Sequence, residues 1–181
     1  MELKNNTIYF RLVEVEDAEF ITSLRVDNTY NKYLTAVEGS VSQQVKWILD
    51  YKKREELKEE YYFIIHRNID SQPIGTVRLY DFLGDKDSFC WGSWILNEKK
   101  TRYAALECAT LIYDLAFIEL KFKRCHMDIR KGNLKVIEFH KKFGVKIIGE
   151  TENDLLGHYF LDDYLKIQKN IKTFIESKTS K

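Results

Sequence analysis

The densest chemistry in this sequence lies where an apolar run, Trp94-Ile-Leu, passes through the polar turn Asn-Glu-Lys-Lys-Thr-Arg into Tyr103-Ala-Ala without a proline. A strand that feeds a helix through such a turn leaves the first helical N–H groups unpaired beside a partial positive charge, a geometry suited to a pyrophosphate. Lys99, Lys100 and Arg102 add full charges there. A second cluster is Asn133-Leu-Lys-Val-Ile-Glu-Phe-His-Lys-Lys-Phe-Gly-Val. Asn133, Ile137 and His140 share one helical face, with roughly 10 Å between Asn133 and His140. The amide can grip a ligand amide, and an imidazole with its ordinary pKa of ~6.5 exchanges a proton near neutral pH. A third cluster is Arg124–Arg130, where a period of two places His126, Asp128 and Arg130 on one face and makes Asp128 or His126 a proton acceptor. Each cluster also has a structural reading: a basic surface turn, a satisfied histidine on a half-apolar helix, and polar residues facing solvent.

Positioning these residues takes an alternation of strands and helices. Residues 8–13 read as a strand, followed by a helix carrying Phe20, Ile21 and Leu24 that Asp17 caps. Val45, Ile48, Leu49 and Leu57 suit a second helix, and the Lys/Arg/Glu run over 52–60 reads as its solvated face. Residues 61–65, 74–80 and 88–96 are rich in aromatic and β-branched side chains, and Asp-Ser-Gln-Pro and Leu-Gly-Asp-Lys-Asp separate them into hairpin-linked antiparallel strands. A helix over 102–120 follows, with Ala104, Cys108, Leu111, Ile112 and Leu115 on one face, then the strand 124–130. Gly132 and Asn133 open another helix, which Gly144 ends because glycine tolerates the left-handed position after a helix. Residues 145–149 and 158–161 read as the last strands. A C-terminal helix over about 162–177, capped by Asp162 or Asp163, carries Tyr164, Ile167, Ile171 and Phe174 at helical spacing. That apolar stripe packs on its own domain or pairs two subunits in a homodimer.

The fold class is therefore α+β (α/β), with a mostly antiparallel, mixed central sheet of about seven strands flanked by helices. One domain spans residues 1–181, since only Pro73 and no linker or repeat interrupts the chain. Lys and Arg number 29 against 28 Asp and Glu, so no excess of positive charge points to nucleic acid or an anionic membrane. Cys90, Cys108 and Cys125, an odd number with no CxxC pair, argue against a disulfide framework and against a metal site, and fit a cytoplasmic setting. The opening Met-Glu-Leu-Lys-Asn-Asn-Thr-Ile lacks the apolar stretch of a signal peptide, and no apolar run approaches the ~20 residues of a membrane span.

Taken in order, these pieces resemble the GNAT acetyltransferases from Ile8 to about Leu161. Arg11-Leu-Val-Glu-Val-Glu-Asp-Ala-Glu looks like the family's first strand and helix start, Arg25-Val-Asp-Asn and Asn31-Lys-Tyr-Leu like its substrate-side helix break, and Ile74-Gly-Thr-Val-Arg-Leu like its third strand. Asn133, Lys142, Gly144 and Val145 match the family's distal asparagine to lysine-x-glycine pattern in spacing. The resemblance implies acetyl-CoA as cofactor and direct attack of a substrate amine on its thioester. It implies that Trp94, Ile95 and Leu96 bond pantetheine, that the turn Lys99, Lys100, Thr101, Arg102, Tyr103, Ala104 and Ala105 holds the pyrophosphate, and that Asn133 takes the pantetheine arm. His140 stands where many members carry the tyrosine that protonates the leaving thiolate. Tyr30, Arg78, Tyr80, Trp91 and Ser93 lie on segments that line the family's acceptor cleft.

Two positions depart from the pattern. Tyr103 replaces the central glycine of the phosphate turn, where a side chain is expected to hinder the approach of phosphate oxygens. Cys90 replaces the glutamate that many relatives carry on the fourth strand, so that acid is not the general base. Phe-Cys-Trp-Gly-Ser-Trp-Ile, Tyr-Ala-Ala-x-Glu and His126-Met-Asp-Ile-Arg-Lys-Gly-Asn look like a branch associated with bacterial surface-polysaccharide gene clusters, implying a small-molecule amine acceptor, a nucleotide-linked amino sugar. Two other readings stay open: a protein N-terminal acetyltransferase resembling the ribosomal-protein modifiers, and a GNAT-fold protein that binds CoA without catalysis.

Overall fold

A computed structural model describes residues 3–34 and 39–179 of the chain. The elements run β1 (Leu3–Lys4), β2 (Ile8–Leu12), α1 (Ala18–Val26), α2 (Asn28–Asn31), α3 (Val41–Glu56), β3 (Tyr61–Arg67), β4 (Pro73–Leu83), β5 (Ser88–Leu96) and α4 (Ala104–Tyr113). After them come β6 (Arg124–Arg130), α5 (Leu134–Phe143), β7 (Lys146–Glu150), β8 (Asp154–Phe160) and α6 (Leu161–Thr179). The strands form one eight-stranded sheet in the order β1-β2-β3-β4-β5-β6-β8-β7. Every neighbouring pair is antiparallel except β5 and β6. The expected fold class is the observed one, and the eighth strand is the two-residue β1, too short to leave a period in the sequence.

Strand β3 shows how the sheet gathers its layers. Successive side chains point to opposite faces, and β3 is buried on both. Phe63 and Ile65 join the large core that includes α4, while Tyr62 and Ile64 join a second core with Ile21 of α1 and Ile48 and Tyr51 of α3. The inward face of α3 is thus Ile48 and Tyr51, with Trp47 beside them, whereas the expected Leu49 and Leu57 are exposed. The charged run 52–60 is not all solvated, because Glu60 is buried and pairs with Arg54 at 2.6 Å. Asp17 precedes α1 but does not cap it, since Arg11 takes its carboxylate at 2.7 Å.

Helix α4 starts at Ala104, two residues later than its periodicity suggests, and passes after Tyr113 into π winding over Asp114–Glu119. Almost every α4 side chain is buried, so the helix is enclosed rather than amphipathic. One side is covered by α6, which follows β8 directly, so that Asp162 and Asp163 fall in its first turn instead of capping it. The tail helix therefore packs on its own domain. The fully buried Tyr164 donates its hydroxyl to Asp114 Oδ1 at 2.7 Å, and Lys172 reaches Asp114 Oδ2 at 2.7 Å. Gln168 also donates to this carboxylate. Among the described residues no helix is long and apolar enough to cross a membrane.

Asp114→Ala would leave the Tyr164 hydroxyl only its longer bond to the Thr110 carbonyl at 3.3 Å and would take the shared acceptor from Gln168 and Lys172, which should cost about 1–2 kcal/mol. Urea unfolding followed by circular dichroism measures this, and a loss below about 0.5 kcal/mol would contradict the role given to Asp114.

Candidate active site

Strands β5 and β6 pair only at Ser88↔Arg124 and Phe89↔Cys125, although β5 continues to Leu96 and β6 to Arg130. Beyond these two pairs they part. On the other side of β5 the register slips, so that Arg78 faces Gly92 and Thr76 faces Ile95. Val77 of β4 then stands opposite both Ser93 and Trp94, which is a bulge, and bulges bend the strand that carries them. Ser93 takes a left-handed φ of 47°, and the Thr76 hydroxyl bonds its carbonyl at 2.8 Å. Gly75 permits the close approach that follows, because a Cβ there would lie 2.0 Å from the Ile95 carbonyl oxygen. The Asn97 amide bonds the Ile74 carbonyl at 2.8 Å on β4. By strand alternation the amides of Leu96 and Trp94 then face the open edge, whereas that of Ile95 faces β4.

Two adjoining cavities flank this edge. A cavity of about 130 Å³ occupies the gap between the strands and meets Trp91, Trp94, Ile129, Asn133, Val136 and His140. A larger one of about 580 Å³ lies over β4 and β5 and is lined by Arg25, Tyr33, Trp47, Tyr62, Arg78, Tyr80, Cys90, Arg130 and Asp154. Tyr33, Trp91, Ser93, Asp128 and Arg130 line both. Expected Arg78, Tyr80, Trp91, Ser93, Asp128, Asn133 and His140 therefore come together. Tyr30 does not, because it is bonded to Glu98 and ties α2 to the turn after β5. The cavity residues from that segment are Tyr33 and Leu34, and the Tyr33 hydroxyl donates to the Gly132 carbonyl at 2.7 Å.

The larger cavity sets three arginines and two aspartates among aromatic rings. The Arg78 guanidinium lies 4.2 Å from the Tyr80 ring centre and 5.4 Å from that of Trp47, with buried Glu60 3.7 Å from its Nε. Arg130 pairs with Asp154 at 3.2 Å. Asp128 is exposed and has no ion-pair or hydrogen-bond partner among the described residues. Burial pushes the Cys90 thiol up to about 11, so it stays protonated at neutral pH and offers neither a base nor a thiolate to the cavity.

His140 is 6% exposed, stands edge-on to Trp91 at 5.4 Å, and its Nδ1 lacks a partner among the described residues. Burial pushes its pKa down to about 4, so the imidazole is neutral at pH 7 rather than poised to exchange a proton there. Its available chemistry is hydrogen bonding from a neutral ring. Expected His126 lies outside both cavities. Its Nδ1 pairs with the buried Ser88 hydroxyl at 2.6 Å and its Nε2 with Asp81 at 2.9 Å, so both nitrogens are engaged. It is a clip joining β4, β5 and β6 at the root of their separation.

The turn after β5 is folded by Asn97, whose side chain accepts from the Lys99 amide at 3.0 Å and whose carbonyl accepts from the Lys100 amide at 3.2 Å. The Ala104 amide bonds the Thr101 carbonyl at 3.2 Å. Among the described residues the amides of Thr101, Arg102, Tyr103 and Ala105 take no backbone or side-chain partner, and Tyr103 provides no capping side chain. Lys99, Lys100 and Arg102 have no ion pair among the described residues. Open amides and unpaired cations at a helix N-terminus are the donor set a diphosphate requires, so these residues fit that part of CoA. The turn is held from behind by Thr7, whose hydroxyl meets that of Thr101 at 2.7 Å and donates to the fully buried Glu107, while the Thr7 amide bonds Glu107 at 2.8 Å. Asn133 caps α5 through Oδ1, accepting from the Val136 amide at 3.4 Å, which leaves its Nδ2 donors for a ligand.

Comparison with known proteins agrees with this geometry. The family profile described as acetyltransferase (GNAT) domain matches residues 7–146. A Bacillus subtilis (strain 168) protein named probable N-acetyltransferase YjcK is 32% identical over 167 residues, covering 83% of this chain and 92% of that protein. The solved structure of apo FdhC, described as a nucleotide-linked sugar GNAT, is 47% identical over 97% of this chain and 98% of that one, with a TM-score of 0.89. The ribosomal-protein-S5-alanine acetyltransferase of Vibrio fischeri shares the fold, with a TM-score of 0.76 at 15% identity over 91% of this chain and 98% of that one.

The neutral His140 has a consequence for stability. Its folded pKa of about 4 lies below the unfolded ~6.5, so between these values the unfolded chain binds a proton that the folded chain refuses. Native stability should fall by up to about 3 kcal/mol from pH 7 to pH 4 on this account, and His140→Gln should remove that share of the decline. Urea titrations of both proteins at pH 7, 5.5 and 4.5 measure the difference, and parallel declines would contradict a neutral His140.

Proposed function

The chain belongs to the GNAT acetyltransferase family, and from that premise we propose that it carries an acetyl group from acetyl-CoA to the amine of a nucleotide-linked amino sugar. The observation that carries this reading is the larger cavity, where Arg78 is clamped between Trp47 and Tyr80 and joined by Arg25 and Arg130, beside an unpaired Asp128 at the junction with the strand gap. Guanidinium groups suit the phosphates of a nucleotide, aromatic faces suit rings, and a carboxylate suits an ammonium. The relative FdhC, 47% identical and described as a nucleotide-linked sugar GNAT, supports the same class of acceptor.

Acetyl-CoA supplies an activated acetyl thioester. The chain's own residues have separable tasks around it. The amides of Trp94 and Leu96 offer donors along the open edge of β5, Asn133 adds its Nδ2, and the turn from Lys99 to Ala105 holds the diphosphate. Asp128 attracts the acceptor ammonium and takes its proton, directly or through water, which frees the amine lone pair. His140 enters neutral and donates a hydrogen bond within the strand gap.

Incubation of the purified protein with acetyl-CoA and a panel of nucleotide-linked amino sugars, the matching free sugars and N-terminal peptides tests the reading. Turnover of the nucleotide-linked sugars with at least tenfold lower kcat/KM for the free sugars is expected, since lost charge-assisted phosphate bonds are each worth about 1.5–3 kcal/mol. Turnover of peptides alone would sink it. Asp128→Asn should lower kcat about a hundredfold or more, the scale of a general base, and an unchanged kcat would remove Asp128 from that role.

A further inference from the structure

Helix α6 lies outside the residues matched by the family profile, yet its last turns reach the phosphate turn. Phe174 stands edge-on to Tyr103, with ring centres 5.7 Å apart and planes at 90°. The Arg102 guanidinium lies 5.5 Å from the Tyr103 ring centre, and the Lys178 amine 5.9 Å from that of Phe174. This end of the helix is fixed. Ile175 is buried, the Thr179 hydroxyl accepts from Asn6 at 2.6 Å, and Asp114 holds the helix from Tyr164 to Lys172.

Tyr103 immediately precedes α4, and its backbone, at φ −107° and ψ 8°, does not demand glycine. What a side chain here threatens is access, because its bulk competes with a phosphate for the space beside the open amides. Contact with Phe174 gives that ring a place against α6 instead, and the stacked Arg102 travels with it. Edge-to-face pairs of this kind hold a defined geometry and contribute beyond the area they bury.

We infer that Phe174 is a positioning residue for the cofactor diphosphate, which keeps the Tyr103 ring against α6 and so leaves the amides of Thr101, Arg102 and Ala105 open with Arg102 at their edge. This rests on the acetyl-CoA reading and not on the identity of the acceptor. It also explains why an aromatic residue is tolerated within a phosphate turn.

Calorimetric titration of the full-length protein with CoA tests the idea without need of an acceptor. Phe174→Ala should raise the Kd about tenfold, while Phe174→Tyr, which keeps the ring, should stay within about twofold of native. In a Tyr103→Gly background, where no ring needs holding, Phe174→Ala should change the Kd by less than about twofold. Equal losses in both backgrounds would show that Phe174 merely supports the helix and would overturn the inference, as would an unchanged Kd in the single variant. If Phe174→Ala does not fold, Phe174→Leu replaces it in the same cycle, with about a threefold loss expected only where Tyr103 is present. A native protein that fails to bind CoA would overturn this inference and the cofactor reading together, whereas native binding with unaffected variants overturns the inference alone.

Discussion

From Cys90 onward the open edge of β5 carries backbone donors and acceptors that β6 does not take, because the two strands pair at only two positions. Inside a folded domain such groups must find a partner or water, so a parted pair of strands is either a defect or a binding edge. Here the parting is built in. The bulge opposite Val77 bends β5 away, and Ser93 is held in a left-handed conformation by the Thr76 hydroxyl. The His126 ring, bonded to Ser88 and Asp81, clips the strands where they still touch. Both cavities and the phosphate turn lie along this one edge.

Polarity is divided along the edge in a way that suits two substrates of different character. The strand gap sets the rings of Trp91 and Trp94, Ile129 and a neutral His140 against Ser93, Asp128, Arg130 and Asn133 at its rim, and a charged imidazole buried against Trp91 would be costly. The wider cavity collects three arginines and the aromatic faces of Trp47 and Tyr80. Asp128 stands where the two meet, on the exposed face of a strand whose other face, through Cys125, Met127 and Ile129, is core. Two ionisable residues on facing elements thus receive opposite environments, one dry and one wet, and their chemistry divides accordingly.

Much of this was legible in the residue pattern. The strand, turn and helix around residues 94–105, the left-handed glycine after α5 and the shared face of Asp128 and Arg130 all follow from local rules: turn chemistry, the absence of a Cβ and a period of two. What escaped depends on contacts distant in the chain. Glu60 reads as one more charge in a polar run, and only the fold brings it beside Arg78. Trp47 and Tyr33 carry no spacing that marks them as cavity residues. His126 and Asp128 look equivalent on one strand face, but Ser88 and Asp81 take both nitrogens of the histidine and leave the carboxylate free. His140 shows the same limit in energetic form, since its type suggests a proton carrier while burial fixes it in the neutral state. Tyr103 reads as an obstruction until α6 supplies the ring that receives it.

The open edge of β5 is the proposed binding edge for CoA, and every role given to a residue of the site depends on it. Amide hydrogen exchange, read by mass spectrometry with and without CoA, tests it most directly. Without ligand the amides of Trp94, Leu96, Thr101, Arg102 and Ala105 should exchange faster than those of β3, which is paired on both sides. Addition of CoA should slow peptides covering residues 94–96 and 101–105 while leaving β3 unchanged. Protection confined to other elements, or none at saturating CoA, would contradict it.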